Sequence, residues 1–130
     1  MRYLTADELV AINSHLALKE GKQPGIAKAE QLNKIIAVPQ ANFYDHSLRE
    51  MVANKTGFLL AAIISGKPFS TNNLQTAVIA VAALADLNDY ELTFSTSQLA
   101  DLAVELEHTD SEAIDYDRLF KLFDANLKMK

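Results

Sequence analysis

From about Asn72 to Leu87 the chain offers a helix almost no polar face: Val78, Ile79, Val81, Leu84 and Leu87 are set among alanines. A helix that is apolar all round has to be covered all round. The segment therefore predicts a central helix with the remaining elements packed about it. Small and β-branched residues would also suit a buried strand, but the uninterrupted length and the alanine content favour a helix. The longest wholly apolar run, Ala77 to Ala85, is far below the roughly 18 residues that a membrane span calls for.

The rest of the chain supplies the cover. Thr5 and Glu8 have capping-box spacing ahead of a stripe of Leu9, Ile12 and Leu16. The segment from Gly21 to Gly25, with Pro24 inside it, ends that helix. A second is expected from about Ala27 to Ile36, burying Leu32, Ile35 and Ile36. Pro39 removes a backbone donor and restricts Val38 before it, so Ala37 to Tyr44 is expected to be a loop or a short extended flap. A third helix is predicted from about Leu48 to Ile64, with Leu48, Met51, Val52, Leu59 and Ile63 on its buried face and Gly57 allowing close packing. After the Asn88-Asp89 turn, Tyr90 to Phe94 alternates like an extended segment. Ser95 and Gln98 repeat the capping-box spacing before Leu99, Leu102, Ala103 and Leu106. Asp115 is expected to cap a last helix carrying Leu119, Phe120, Leu122 and Phe123, with Lys128 and Lys130 near its negative end. No linker divides residues 1–130, and the whole predicts one compact all-α domain.

Composition removes several classes of function. The chain has no cysteine, which excludes disulfides, thiolate nucleophiles and cysteine zinc sites. Three scattered histidines, His15, His46 and His108, are a poor basis for a metal centre, and no metal ligands are assigned. A net charge of −5 argues against general nucleic-acid binding. The opening Met1-Arg2-Tyr3-Leu4 lacks the apolar core of a signal peptide, so a cytoplasmic protein with no membrane association is expected. Glu105, Glu107, Asp110 and Glu112 read as a solvated acidic face.

Chemistry concentrates in Ser65-Gly66-Lys67-Pro68-Phe69-Ser70-Thr71-Asn72-Asn73-Leu74-Gln75-Thr76, which joins the third helix to the apolar one. Unpaired amides at a helix start attract anions. Lys67 could add a point charge, and Ser70, Thr71, Asn72 and Asn73 could donate hydrogen bonds to a phosphate. The glycine spacing of a Walker loop is absent. A capped interhelical turn accounts for the same residues, with Phe69 as a core anchor.

The chain resembles the Fic/Doc superfamily, particularly its small death-on-curing toxin branch. The likeness runs nearly full length, through Met1 to Thr5 with Glu8-Leu9, the Pro24-Gly25 turn, Leu59 to Ile64, Gly66 to Leu84, and Leu99 to Leu102. That family carries His-x-Phe-x-Asp/Glu-Gly/Ala-Asn-Gly/Lys-Arg between two core helices. By this resemblance the histidine base falls at Lys67, the aromatic anchor at Phe69, the Mg²⁺-associated acid at Thr71 and the small anion-loop residue at Asn72. The family's Asn is kept as Asn73, Leu74 takes the Gly/Lys position, and the phosphate-contacting Arg becomes Gln75. The flap residues Val38, Phe43 and Tyr44 would lie on the substrate side.

Family members transfer adenylyl or phosphoryl groups from a nucleotide to protein hydroxyls. Here the base, the acid and the arginine are all replaced. Thr71 is only a neutral oxygen ligand, and Gln75 lacks the cationic fork of arginine. The resemblance therefore implies a catalytically degenerate protein derived from a toxin–antitoxin or prophage-maintenance toxin, keeping at most a loop for ATP or another nucleotide, with Mg²⁺ in doubt. Two alternatives stand beside it. One is an active transferase that draws its acid from elsewhere, with Glu50, Asp89 and Glu91 the carboxylates in view. The other is a non-enzymatic interaction module, whose partner would be a small antitoxin-like protein or a cellular target.

Overall fold

The computed structural model describes residues 1–37 and 47–130. Six helices run in the order α1 (Ala6–Lys19), α2 (Ala29–Ala37), α3 (Leu48–Gly66), α4 (Asn73–Leu87), α5 (Thr96–Glu107) and α6 (Tyr116–Ala125). Two three-residue strands, β1 (Tyr90–Leu92) and β2 (Leu127–Met129), pair antiparallel with Tyr90 opposite Met129. The domain is thus a helical bundle with a small terminal ribbon.

Local chemistry sets most helix starts. Thr5 and Glu8 close a reciprocal capping box at α1, and Ser95 and Gln98 do so at α5. The Ser47 side chain accepts from the Glu50 amide at α3, and Asp115 accepts from the Arg118 amide at α6. Each such cap satisfies an amide that the helix itself leaves unpaired. Asn88 ends α4 and pins the N-terminal segment to it. Its carboxamide donates to the Leu84 and Arg2 carbonyls and accepts from the Arg2 amide at 2.7 Å.

The central helix is α3, not α4 as the apolar run predicts. α3 packs against α2, α4, α5 and α6, and ten of its residues are buried against six in α4. The reason lies in α4's outer stripe. Gln75, Ile79, Ala82 and Asp86 repeat at helical spacing and face outward, so the helix is apolar in composition yet open on one side. α6 packs against α3 at Gly57, but a Cβ there would stand 3.4 Å from the Leu119 Cβ and 3.5 Å from the Phe123 ring, ordinary contact distances, so the approach does not require the glycine expected to allow it.

Other expectations need correction too. Leu48, placed on the buried face, is 43% exposed, because the first turn of α3 projects beyond the core. On α1 the buried column is Leu9, Asn13 and Ala17, while Ile12 and Leu16 are half-buried at its flank. Lys128 and Lys130 do not end a helix. α6 stops at Ala125, and the chain turns into β2, where Lys128 lies 3.9 Å from Glu91 and Lys130 pairs with Asp86. Among the described residues no helix is long and apolar enough to cross a membrane.

Candidate functional site

The connection between α3 and α4 is built from backbone outward. Gly66 is the last residue of α3, and Lys67 caps it in the left-handed region (φ 47°, ψ 58°), its amide donating to the Ile63 carbonyl at 3.0 Å. Pro68 cannot continue the helix. Its carbonyl instead accepts from the Ala27 and Lys28 amides at 2.8 and 3.0 Å, while the Ser70 amide donates to Gly25 at 3.0 Å. The connection is therefore stitched to the chain just ahead of α2, with Ile26 and Phe69 forming an isolated antiparallel bridge. Phe69 is buried in the core.

The polar side chains then close on the protein itself. The Asn73 carboxamide accepts from the Phe69 amide at 3.0 Å and donates to the Phe69 carbonyl at 2.9 Å, a bidentate clasp across the turn. The Thr71 hydroxyl donates to Asn72 Oδ1 at 3.0 Å. Asn72 sits at φ 59°, a left-handed conformation that asparagine tolerates better than most residues. Its side chain leaves α4 uncapped and turns to donate to Glu20 Oε2 at 2.8 Å. From α1, buried Asn13 donates to the Thr71 carbonyl at 2.7 Å and to the Thr76 hydroxyl at 3.1 Å.

Lys67, Ser70 and Gln75 are exposed around this clasp. Among the described residues, no carboxylate pairs with Lys67. The residues Val38, Phe43 and Tyr44, expected to form a flap, lie outside the described residues, as does His46. The carboxylates considered as replacement acids are far away. Glu50 is one end of α3 from Gly66, roughly 24 Å along the axis, and Asp89 and Glu91 follow the opposite end of α4, roughly 20 Å from Asn72. No group of three or more His, Asp or Glu side chains converges as a metal site among the described residues.

Sequence reasoning missed Asn13 and Glu20. Asn13 is a polar residue in an apolar column, a signal visible on a helical wheel. Glu20 is the C-cap of α1, in a turn, and meets Asn72 across 52 positions, so nothing local marks that contact. Glu20 also pairs with Lys22 at 3.1 Å. The Asn72 hydrogen bond, followed by Lys22, holds its carboxyl below the ordinary value of 4.5. A carboxyl depressed in the folded state adds stability that is present above its unfolded pKa and is lost as pH falls through the folded one. Glu20→Gln is accordingly expected to differ from the parent in thermal midpoint near neutral pH, with the difference shrinking as pH falls from about 6 to about 3. A difference that grows on acidification would contradict the assigned contact.

With this geometry in view, the chain can be set beside known proteins. No family model matches it, and no curated protein matches it either. The chemistry of the connection itself has to carry the functional reading. Its charged groups are two exposed cations, Lys67 and Lys22, and one carboxylate, Glu20, already engaged by Asn72 and by Lys22, which offsets its charge. The arrangement holds a turn in shape, and among the described residues no histidine and no arginine stands in this connection.

Proposed function

We propose that this chain is a Doc-like protein of toxin–antitoxin or prophage descent that has lost the transfer chemistry of its family and works in the cytoplasm by binding a protein partner. The observation that carries this reading is the Asn73 clasp on Phe69, flanked by Lys67 as a helix cap and by Asn72 tied to Glu20. Of the side chains that would receive phosphate, Thr71, Asn72 and Asn73 are spent on the fold, while those of Lys67 and Ser70 stay exposed. Thr71 and Gln75 supply neither the metal ligand nor the cation that phosphoryl transfer needs. The partner implied by this descent is a small antitoxin-like protein or a cellular target.

A second reading, a residual nucleotide cradle without catalysis, draws on one feature: α4 begins without a side-chain cap, leaving its first amides available to an anion. A residue-resolved NMR titration with ATP, with and without Mg²⁺, separates the two. The binding-module reading expects no saturable shift confined to Ser70–Thr76 at millimolar nucleotide, and a Lys67→Ala variant with an unchanged fold. Saturable shifts there, weakened by Lys67→Ala, would replace it with the cradle. Mg²⁺ dependence of those shifts would reopen the transferase alternative, with Glu20 as the acid to test.

A further inference from the structure

A second cleft opens between α2, the C-terminal end of α3 and the start of α6. Its volume is about 290 Å³, at the low end of the roughly 300–1,000 Å³ typical of small-molecule sites. One wall carries Lys28, Gln31 and Lys34, spaced by three so that they share a face. Ser65 lies on the α3 side, and Ser111 and Tyr116 close the far side. Among the described residues no carboxylate lines the cleft, and neither lysine makes an ion pair with any of them. Two cations thus share one wall, while on the far side Glu112, Asp115 and Asp117 flank Ser111 and Tyr116 in sequence.

The other half of the site is aromatic. Tyr116 stacks on Phe58 with ring centroids 6.2 Å apart and planes inclined by 29°, yet stays 47% exposed. Phe58 thus supports the ring from within while leaving part of it open to a ligand. The Tyr116 phenol is a hydroxyl donor in its ordinary protonated form, and partial burial raises its pKa further. Cations, hydroxyl donors and a braced aromatic surface therefore line one concave space.

We propose that this cleft binds a small anion joined to an aromatic ring, of the size of a nucleoside monophosphate, with Lys28 and Lys34 holding the phosphate and Tyr116 lying against the ring. Ser65 and Ser111 add hydroxyls to the phosphate end. The site meets the α3–α4 connection only at Ser65 and Gly66 and goes beyond the binding-module reading. Neither depends on the other.

The test is an NMR titration of the full chain with adenosine 5′-monophosphate, inorganic phosphate and adenosine in parallel. Adenosine 5′-monophosphate is expected to give saturable shifts centred on Gln31, Ser65 and Tyr116, with either half-ligand binding at least about tenfold more weakly because it engages only one half of the site. The double variant Lys28→Gln, Lys34→Gln should weaken the nucleotide about tenfold or more, since both substituted side chains reach solvent and the circular dichroism spectrum is expected to be unchanged. Tyr116→Leu should weaken the nucleotide several-fold and leave inorganic phosphate unaffected, the signature of lost ring contact. Absence of saturable shifts at millimolar ligand, shifts confined to Ser70–Thr76, an unchanged affinity in the folded lysine double variant, or equal binding of inorganic phosphate would each overturn the proposal.

Discussion

Phe123→Ala is expected to lower the stability of the fold by about 3–5 kcal/mol, the usual cost of emptying a fully buried aromatic site. Phe123 has no solvent exposure and meets Phe94 edge-on with centroids 5.1 Å apart. It also lies over Gly57, where a Cβ would approach its ring to 3.5 Å, so the vacated volume would sit between α3, α6 and the segment leading into α5. A folded domain has only about 5–15 kcal/mol to lose. The variant should therefore fold, with a urea midpoint well below that of the parent and a similar slope. A loss under about 1 kcal/mol would show that α6 repacks into the space.

How much of this architecture could be read in advance depends on how local its cause is. The caps at Thr5, Ser95 and Asp115 were legible because a cap is written within four residues of sequence. The end of the third helix ahead of Pro68 was legible for the same reason, although Lys67 rather than a glycine takes the left-handed position. The ribbon's second strand was not. Leu127–Met129 exists through its pairing with Tyr90–Leu92, and a three-residue segment has no periodicity of its own. Its lysines look, locally, like the end of a helix. The exposed stripe of α4 was hidden by composition, since alanine and Ile79 register as apolar wherever they point.

The candidate site divides along the same line. Lys67, Phe69 and Asn73 belong to one short connection, so sequence places them together. Which partners those side chains take is decided at long range, by Glu20 on Asn72 and by Asn13 on Thr71 and Thr76. A stretch rich in Ser, Thr and Asn has the same composition whether it awaits a phosphate or is already satisfied by its own fold. Only the three-dimensional hydrogen-bond partners distinguish those states.

Asn13→Leu tests that long-range control, and it is expected to cost about 2–3 kcal/mol despite the near-equal size of the two side chains. On area alone, leucine at a site 1% exposed should stabilise α1 against α4. The opposing effect is larger. Removing the Asn13 carboxamide strips the Thr71 carbonyl and the Thr76 hydroxyl of a donor, and Thr76 is fully buried. An orphaned buried polar group costs about 1–3 kcal/mol, and here two are affected at once. The entrance to α4 should loosen locally as well, with faster hydrogen exchange at the amides from Thr71 to Thr76 than the global loss alone accounts for. Adding Thr76→Val removes one of the two orphans, so the double variant should recover about 1 kcal/mol relative to Asn13→Leu. Equilibrium urea unfolding of the single and double variants measures both differences. If Asn13→Leu matches the parent, or if Thr76→Val makes it worse, then Asn13 is a spacer on an apolar face, and the α3–α4 connection holds its shape through the Asn73 clasp and the Gly25 and Pro68 backbone bonds without help from α1.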